Sequence, residues 1–202
     1  SAKAVKNVRM GPMVRMLPSC TASPGKCDGG RRIHIAPGHA GGLFPTFAPM
    51  SRHHYTLLLE WTGNAGTGTD HYRSYKRDHV IRIAGKPELL GSSDTHFRGD
   101  AARHNPEELL LAALSACHMM SYLHVCVTNG VVVTAYTDRP TGVLETVGDG
   151  GRMTAVTLQP VVTVLDPSMI PKAEDLHHKA HELCFIAASV NFPVGCEAMV
   201  RT

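Results

Sequence analysis

Cysteine is the residue type in this chain whose placement is most open to chemistry. Six occur, at positions 20, 27, 117, 126, 184 and 196. A cysteine side chain can be a nucleophile, half of a disulfide, a metal ligand or a small apolar core group. No Cys-x-x-Cys pair is present, so neither a thioredoxin-type redox pair nor a paired-cysteine zinc site is spelled out. No secretory signal is recognisable, and in a reducing compartment a cysteine is more often buried or catalytic than structurally bridged. Cys117 falls in a long apolar run, where its plain reading is a core hydrophobe. Cys126 lies nine residues on, which within one helix is the opposite face and ~13 Å along the axis. The two are therefore out of disulfide reach. Cys184 can face Cys117 if two helices pack together.

Histidine is the competing chemistry. Eleven of the thirteen His lie in residues 51–202. In HHKAHELC, His177, His181 and Cys184 recur at i, i+4 and i+7, one face of a helix and a plausible spacing for metal ligands. The zincin motif would need Glu directly after the first His, and His178 stands there. An amphipathic helix with solvated His explains the same pattern without a metal. His118 neighbours Cys117 but points ~100° away around a helix, which argues against a role as its base. His124 is on the Cys117 face two turns off. Met119 and Met120 read as core or interface packing. No Gly-x-Ser-x-Gly and no P-loop occurs, so serine-hydrolase and nucleotide chemistry have no support.

The elements that must position these residues are unequally marked. The clearest is a helix opened by Asn105 as cap, Pro106 in the first turn and Glu107 and Glu108 where the helix dipole favours acids. LLLAALSACHMMSYLHVCV follows, and Asn129-Gly130 ends it. Leu109 to Met120 is apolar almost all round, the mark of a helix buried on most sides. Pro171 opens a second helix through about Ala188. Strand-like sequence covers residues 53–61, an extended segment covers 71–85, and a short strand and loop cover 88–100. Residues 131–166 read as three strands with turns at 138–140 and 148–151, and a last strand lies near 195–201. Strands arriving in runs, not in βαβ alternation, give an α+β fold.

Composition sets the outer bounds. Hydrophobic residues are 43% and charged residues 18% of the 202, enough for a core, with no run of eighteen apolar residues to span a membrane. The net charge of +3 hides a split. Residues 1–50 hold seven Lys/Arg and one acid; residues 51–202 hold thirteen Lys/Arg and sixteen acids. The first fifty also carry six of the thirteen Pro and seven of the nineteen Gly, and read as a leader or tail, with Met50 as a candidate start. The body, 51–202, is slightly acidic and makes no case for nucleic-acid binding.

The stretch HNPEELLLAALSACHMM (104–120), with HELCFIAASV (181–190) following, resembles the OsmC/Ohr family of thiol-dependent peroxidases. The resemblance covers residues 53–202. It implies an intertwined homodimer, with antiparallel sheets packed around central helices. It also implies Cys117 as the peroxidatic cysteine, Cys184 as the resolving one, Glu107 as the active-site Glu, and Arg73 or Arg77 as the active-site Arg, with Arg73 preferred. Phe185 after Cys184 departs from the family's common Cys-Pro form. The expected substrate is an organic hydroperoxide, and hydrogen peroxide less well. The expected reductant is an external dithiol, the expected location the cytoplasm, and no cofactor or metal is implied. The chemistry asks for these residue types. An ordinary thiol is only a few per cent thiolate at neutral pH and burial makes it less so, hence the need for a permanently charged Arg and a carboxylate to hold it. Glu107 and Cys117 stand ten residues apart, ~15 Å along one helix. They cannot adjoin within one helix, but two such helices packed antiparallel across a twofold axis bring Glu107 of one copy toward Cys117 of the other, which is a second reason to expect a homodimer. The alternatives are a dimer of the same kind in which Cys117 is merely core, and a His/Cys metal-binding protein.

Overall fold

The computed structural model describes residues 51–202. The leader reading of residues 1–50, Met50 as a start, and Cys20 and Cys27 lie outside them. Strands β1 (Leu58–Trp61), β2 (His79–Arg82) and β3 (Leu89–Gly91) form an antiparallel sheet. Helix α1 (Pro106–Thr128) follows. Four strands come next: β4 (Val133–Asp138), β5 (Thr141–Val147), β6 (Gly150–Leu158) and β7 (Pro160–Val164). Helix α2 (Ile170–Glu182) and the short strands β8 (Val194–Cys196) and β9 (Met199–Arg201) complete the chain. The architecture is α+β. Two further sheets have the orders β4-β7-β9 and β5-β6-β8; their pairings are antiparallel except for the parallel pairs β6–β8 and β7–β9.

α1 begins where its cap signals place it. The Asn105 Oδ1 accepts the Glu108 amide at 2.8 Å, and the Glu108 carboxylate accepts the Asn105 amide at 3.2 Å. Two donors with no intrahelical partner are thereby satisfied reciprocally. Along α1 the buried residues are Leu114, His118, Tyr122, Val125 and Cys126, one stripe at helical spacing. Within one chain the burial is thus one-sided, not all round, and Met120 and Val127 on the remaining surface are 60% and 72% exposed. α1 is long and apolar enough to cross a membrane by length and composition; here its buried stripe packs on α2 and β4. The main core joins Tyr122, Val125 and Cys126 to Val162 and Val164 of β7 and Ala173, Leu176 and Ala180 of α2. A smaller cluster joins Leu114 to Val156 and Leu158 of β6.

Several boundaries differ from the sequence reading: the strand expected over 53–61 is confined to Leu58–Trp61, and the single last strand expected near 195–201 is two, in different sheets. Residues 131–166 hold four strands, because the chain leaves one sheet for another at Gln159, whose amide donates to the Asp138 carboxylate at 2.7 Å. In 71–85 only His79–Arg82 is strand, since the Ser74 hydroxyl and the Asp70 carboxylate tie residues 70–74 into turns. α2 stops at Glu182, not near Ala188. Its last turn tightens, with the Cys184 amide donating three residues back to the His181 carbonyl at 3.2 Å.

Candidate functional site

The early stop of α2 turns Cys184 off the helix and toward α1. Cys117 lies half-buried in the middle of α1, and its Sγ receives the Ile186 amide at 3.5 Å. Cys184 is 2% exposed, and its thiol lies near enough to Cys117 for the two to influence each other's charge. Burial pushes the Cys184 thiol up; hydrogen bonds from the Ala187 and Ile186 backbone pull it down, while Cys117 beside it adds to the upward push. Two cysteines 67 residues apart in sequence are thus neighbours in space, one on a helix and one just past the end of the next. That arrangement can hold a reduced thiol pair and can close into a disulfide.

The charged residues expected around Cys117 lie elsewhere in the chain. Glu107 is in the first turn of α1. It borders a cavity of about 450 Å³ with Tyr72, Phe97, Leu144 and Thr146, floored by the Gly148–Gly151 turn. Arg73 is exposed in the 71–75 turns, where its backbone amide donates to His71 Nδ1 at 3.1 Å. Arg77 is committed to its own loop. Its guanidinium donates to the Tyr75 carbonyl at 2.8 Å and the Tyr72 carbonyl at 3.2 Å, and lies 4.3 Å and 4.5 Å from the centres of those residues' rings. Among the described residues no Arg pairs with Glu107 or Cys117. Within one chain the thiol pair and the Glu107 pocket are separate loci, as the ~15 Å helix rise requires.

A third locus was not visible in the sequence. His118, one residue past Cys117 and fully buried, faces His177 of α2, with Nε2 and Nδ1 3.1 Å apart. The two rings are near-parallel, 9° apart, and Tyr122 stacks on His177 at 3.9 Å. Cys196, at the end of β8, sets its Sγ 3.7 Å from His118 Nε2 and 3.9 Å from His177 Nδ1. Burial holds all three in their uncharged forms. It lowers His118, takes His177 down to about 4 and pushes Cys196 up to about 11, the last helped by the Asp138 carboxylate. His118 Nδ1 and His177 Nε2 have no protein partner. The helical ligand set His177, His181, Cys184 is not assembled, because Cys184 lies beyond the end of α2. His118 was the available clue, a strongly polar group in an otherwise apolar run. Cys196 gave none, since the contact joins three elements.

A sequence model of the family described as OsmC-like protein matches residues 99–198. Among solved structures, an OsmC-like protein of unknown function from Vibrio cholerae is 31% identical, covering 73% of this chain and 100% of that one with a TM-score of 0.66. Two others share the fold. An organic hydroperoxide resistance protein from Legionella pneumophila is 21% identical over 75% of this chain and 100% of that one, TM-score 0.54. One from Elizabethkingia anophelis is 19% identical over 75% and 99%, TM-score 0.54. Among curated proteins, none matches the chain.

Proposed function

The chain belongs to the OsmC-like protein family, and from that premise we propose that it is a cysteine-dependent peroxidase acting on organic hydroperoxides. The observation that carries the reading is the segment after α2 packing on Cys117, with the Ile186 amide on its sulfur and the buried Cys184 thiol beside it. The Cys117 thiolate attacks the outer oxygen of the hydroperoxide. The O–O bond breaks, the alkoxide leaves and takes a proton to become the alcohol, and Cys117 becomes a sulfenic acid. The Cys184 sulfur then displaces the hydroxyl as water, forming the Cys117–Cys184 disulfide and sparing Cys117 from further oxidation. An external dithiol reduces that disulfide by two exchange steps and is itself oxidised. A compartment that keeps both thiols reduced, such as the cytoplasm, suits the cycle. No resident cofactor enters it.

The reading includes a homodimer with the charged residues contributed across the interface. A second α1 packed antiparallel on the first brings Glu107 of one copy toward Cys117 of the other, and Arg73, uncommitted in its own chain, is the cation we assign to the pair. Two observations support this. The apolar face of α1 that one chain leaves exposed needs cover. Strand β5 is exposed along its whole length, with Val143 and Val147 at 51% and 84%. The apolar wall formed by Phe97 and Leu144 beside Glu107 favours an alkyl hydroperoxide over hydrogen peroxide.

Cumene hydroperoxide consumption with a dithiol reductant, on wild type, Cys117→Ser and Cys184→Ser, is the test. Wild type turns over and Cys117→Ser does not, while Cys184→Ser mixed with the hydroperoxide before the dithiol is added consumes one equivalent and leaves a trappable sulfenic acid at Cys117. Equal slow consumption by all three would refute the peroxidase reading. A fully active monomer on dilution would refute the shared site.

A further inference from the structure

We propose that His118, His177 and Cys196 form a binding site for a thiophilic divalent cation of the Zn²⁺ type, separate from the Cys117–Cys184 pair. The three donor atoms come from α1, α2 and the end of β8, and lie 3.1, 3.7 and 3.9 Å from one another. Two imidazoles and a thiolate around a tetrahedral zinc stand about 3.3 Å apart nitrogen to nitrogen and about 3.5 Å nitrogen to sulfur, from bond lengths of ~2.0 and ~2.3 Å. The triangle is therefore already of ligand size. His118 is 0% and His177 6% exposed, so the donors are held by the core and not by mobile surface chains. Tyr122 fixes the plane of His177 by stacking on it, and its hydroxyl is anchored on the Ala173 carbonyl at 2.9 Å.

One side of the triangle opens outward. His177 and Cys196 line a cavity of about 480 Å³ together with Glu174, His178 and His181. Three protein ligands with the fourth position facing such a cavity is the pattern of an accessible zinc site, open to water, to a small anion, or to His181 one helical turn on from His177. In the metal-free state the two ring nitrogens share one hydrogen bond. Binding requires both rings to turn so that their nitrogens face a common ion instead of each other, and it moves the shared proton to the outer nitrogen of the ring that held it. Cys196 loses its thiol proton to solvent, so one proton leaves per ion bound. The outer nitrogens, His118 Nδ1 and His177 Nε2, have no protein acceptor. An affinity roughly 10–100-fold below that of carboxylate-backed histidine sites follows.

The experiment loads the full chain with Zn²⁺ or Co²⁺ and reads stoichiometry by elemental analysis, affinity by titration calorimetry, and thiolate ligation by the sulfur-to-cobalt charge-transfer band. One ion per chain, a charge-transfer band and about one proton released, the last from calorimetry in buffers of different ionisation enthalpy, are expected. Cys196→Ser should remove the band and weaken binding at least tenfold. The double variant Cys117→Ser/Cys184→Ser should retain both. His118→Ala tests the second ligand, but it empties a core position; Cys196→Ser, nearly isosteric and only half-buried, keeps the test decisive if that variant does not fold. No binding, binding indifferent to Cys196→Ser, or binding lost with the Cys117–Cys184 pair each overturns the site. None of those outcomes bears on the peroxidase reading, which rests on Cys117 and Cys184.

Discussion

Cys117 and His118 are neighbours in sequence, yet they serve two regions of different character. Successive helical residues point ~100° apart, so α1 presents Cys117 toward the turn after α2 and His118 toward the body of α2. The first region is a loop edge. Cys117 is half-buried, Cys184 arrives on a short irregular segment, and backbone amides of that segment supply the hydrogen bonds. The second is core, with His118, His177 and Tyr122 packed between regular elements. A reacting thiol must meet a substrate and then rearrange into a disulfide, which suits the edge. A ligand triangle needs its donors held close together by packing, which suits the core. One helix serves both because its two faces meet different partners.

The largest effect that can break this contrast is on activity. Cys117→Ser should take peroxide consumption to background, while Cys196→Ser should leave it near wild type. If Cys196→Ser abolished turnover as well, the two regions would be one site. Next in size is the packing beneath both. Leu114 is fully buried against Val156 and Leu158, so Leu114→Ala should cost about 2–5 kcal/mol in urea unfolding. An effect below 1 kcal/mol, as surface positions give, would show that the core is not organised around this stripe of α1.

The regions also differ in how they answer to pH. His177 is held down to about 4, and His118 is lowered too, both chiefly by burial. An unfolded chain takes up protons near the ordinary histidine pKa of about 6.5, and the native core does not. The unfolded state therefore binds more protons in this window, and stability rises with pH. The contribution is complete above about 6.5 and is lost as pH falls toward 4. Urea midpoints measured between pH 7 and pH 4.5 should fall, and His177→Gln should flatten the slope. A slope unchanged in that variant would place the acid sensitivity outside the histidine pair.

How much of this was legible follows from the range of the interactions. The start of α1 could be read because its determinants, Asn105, Pro106 and Glu108, act within one turn. The α+β order could be read because period and punctuation are local. The end of α2 could not. HELCFIA has no Gly or Pro to stop a helix, and the stop comes with Cys184 and Ile186 settling against Cys117. That stop takes Cys184 off the helix face that carries His177 and turns it toward Cys117. The choice between Arg73 and Arg77 was open in sequence, and the structure shows Arg77 engaged by Tyr72 and Tyr75. The His118–His177–Cys196 triangle joins residues 59, 19 and 78 positions apart, and no local pattern encodes it.

The smallest expected effect tests whether the edge region depends on the start of α1 as well as its middle. Asn105 caps the helix with both bonds of a capping box, and it is 8% exposed. Asn105→Ala removes the acceptor for the Glu108 amide and should cost about 1 kcal/mol, within the 0.5–2 range for such caps. The first turn it secures carries Glu107, whereas Cys117 sits about three turns on, where fraying does not reach. In the proposed dimer the two are brought together between copies, so loosening the first turn weakens the support of the thiol without touching its own surroundings. The expected result is a modest loss of kcat/KM for cumene hydroperoxide alongside the stability loss, with Zn²⁺ affinity at His118, His177 and Cys196 unchanged. Loss of metal affinity with activity intact would reverse the assignment of which region leans on the helix start.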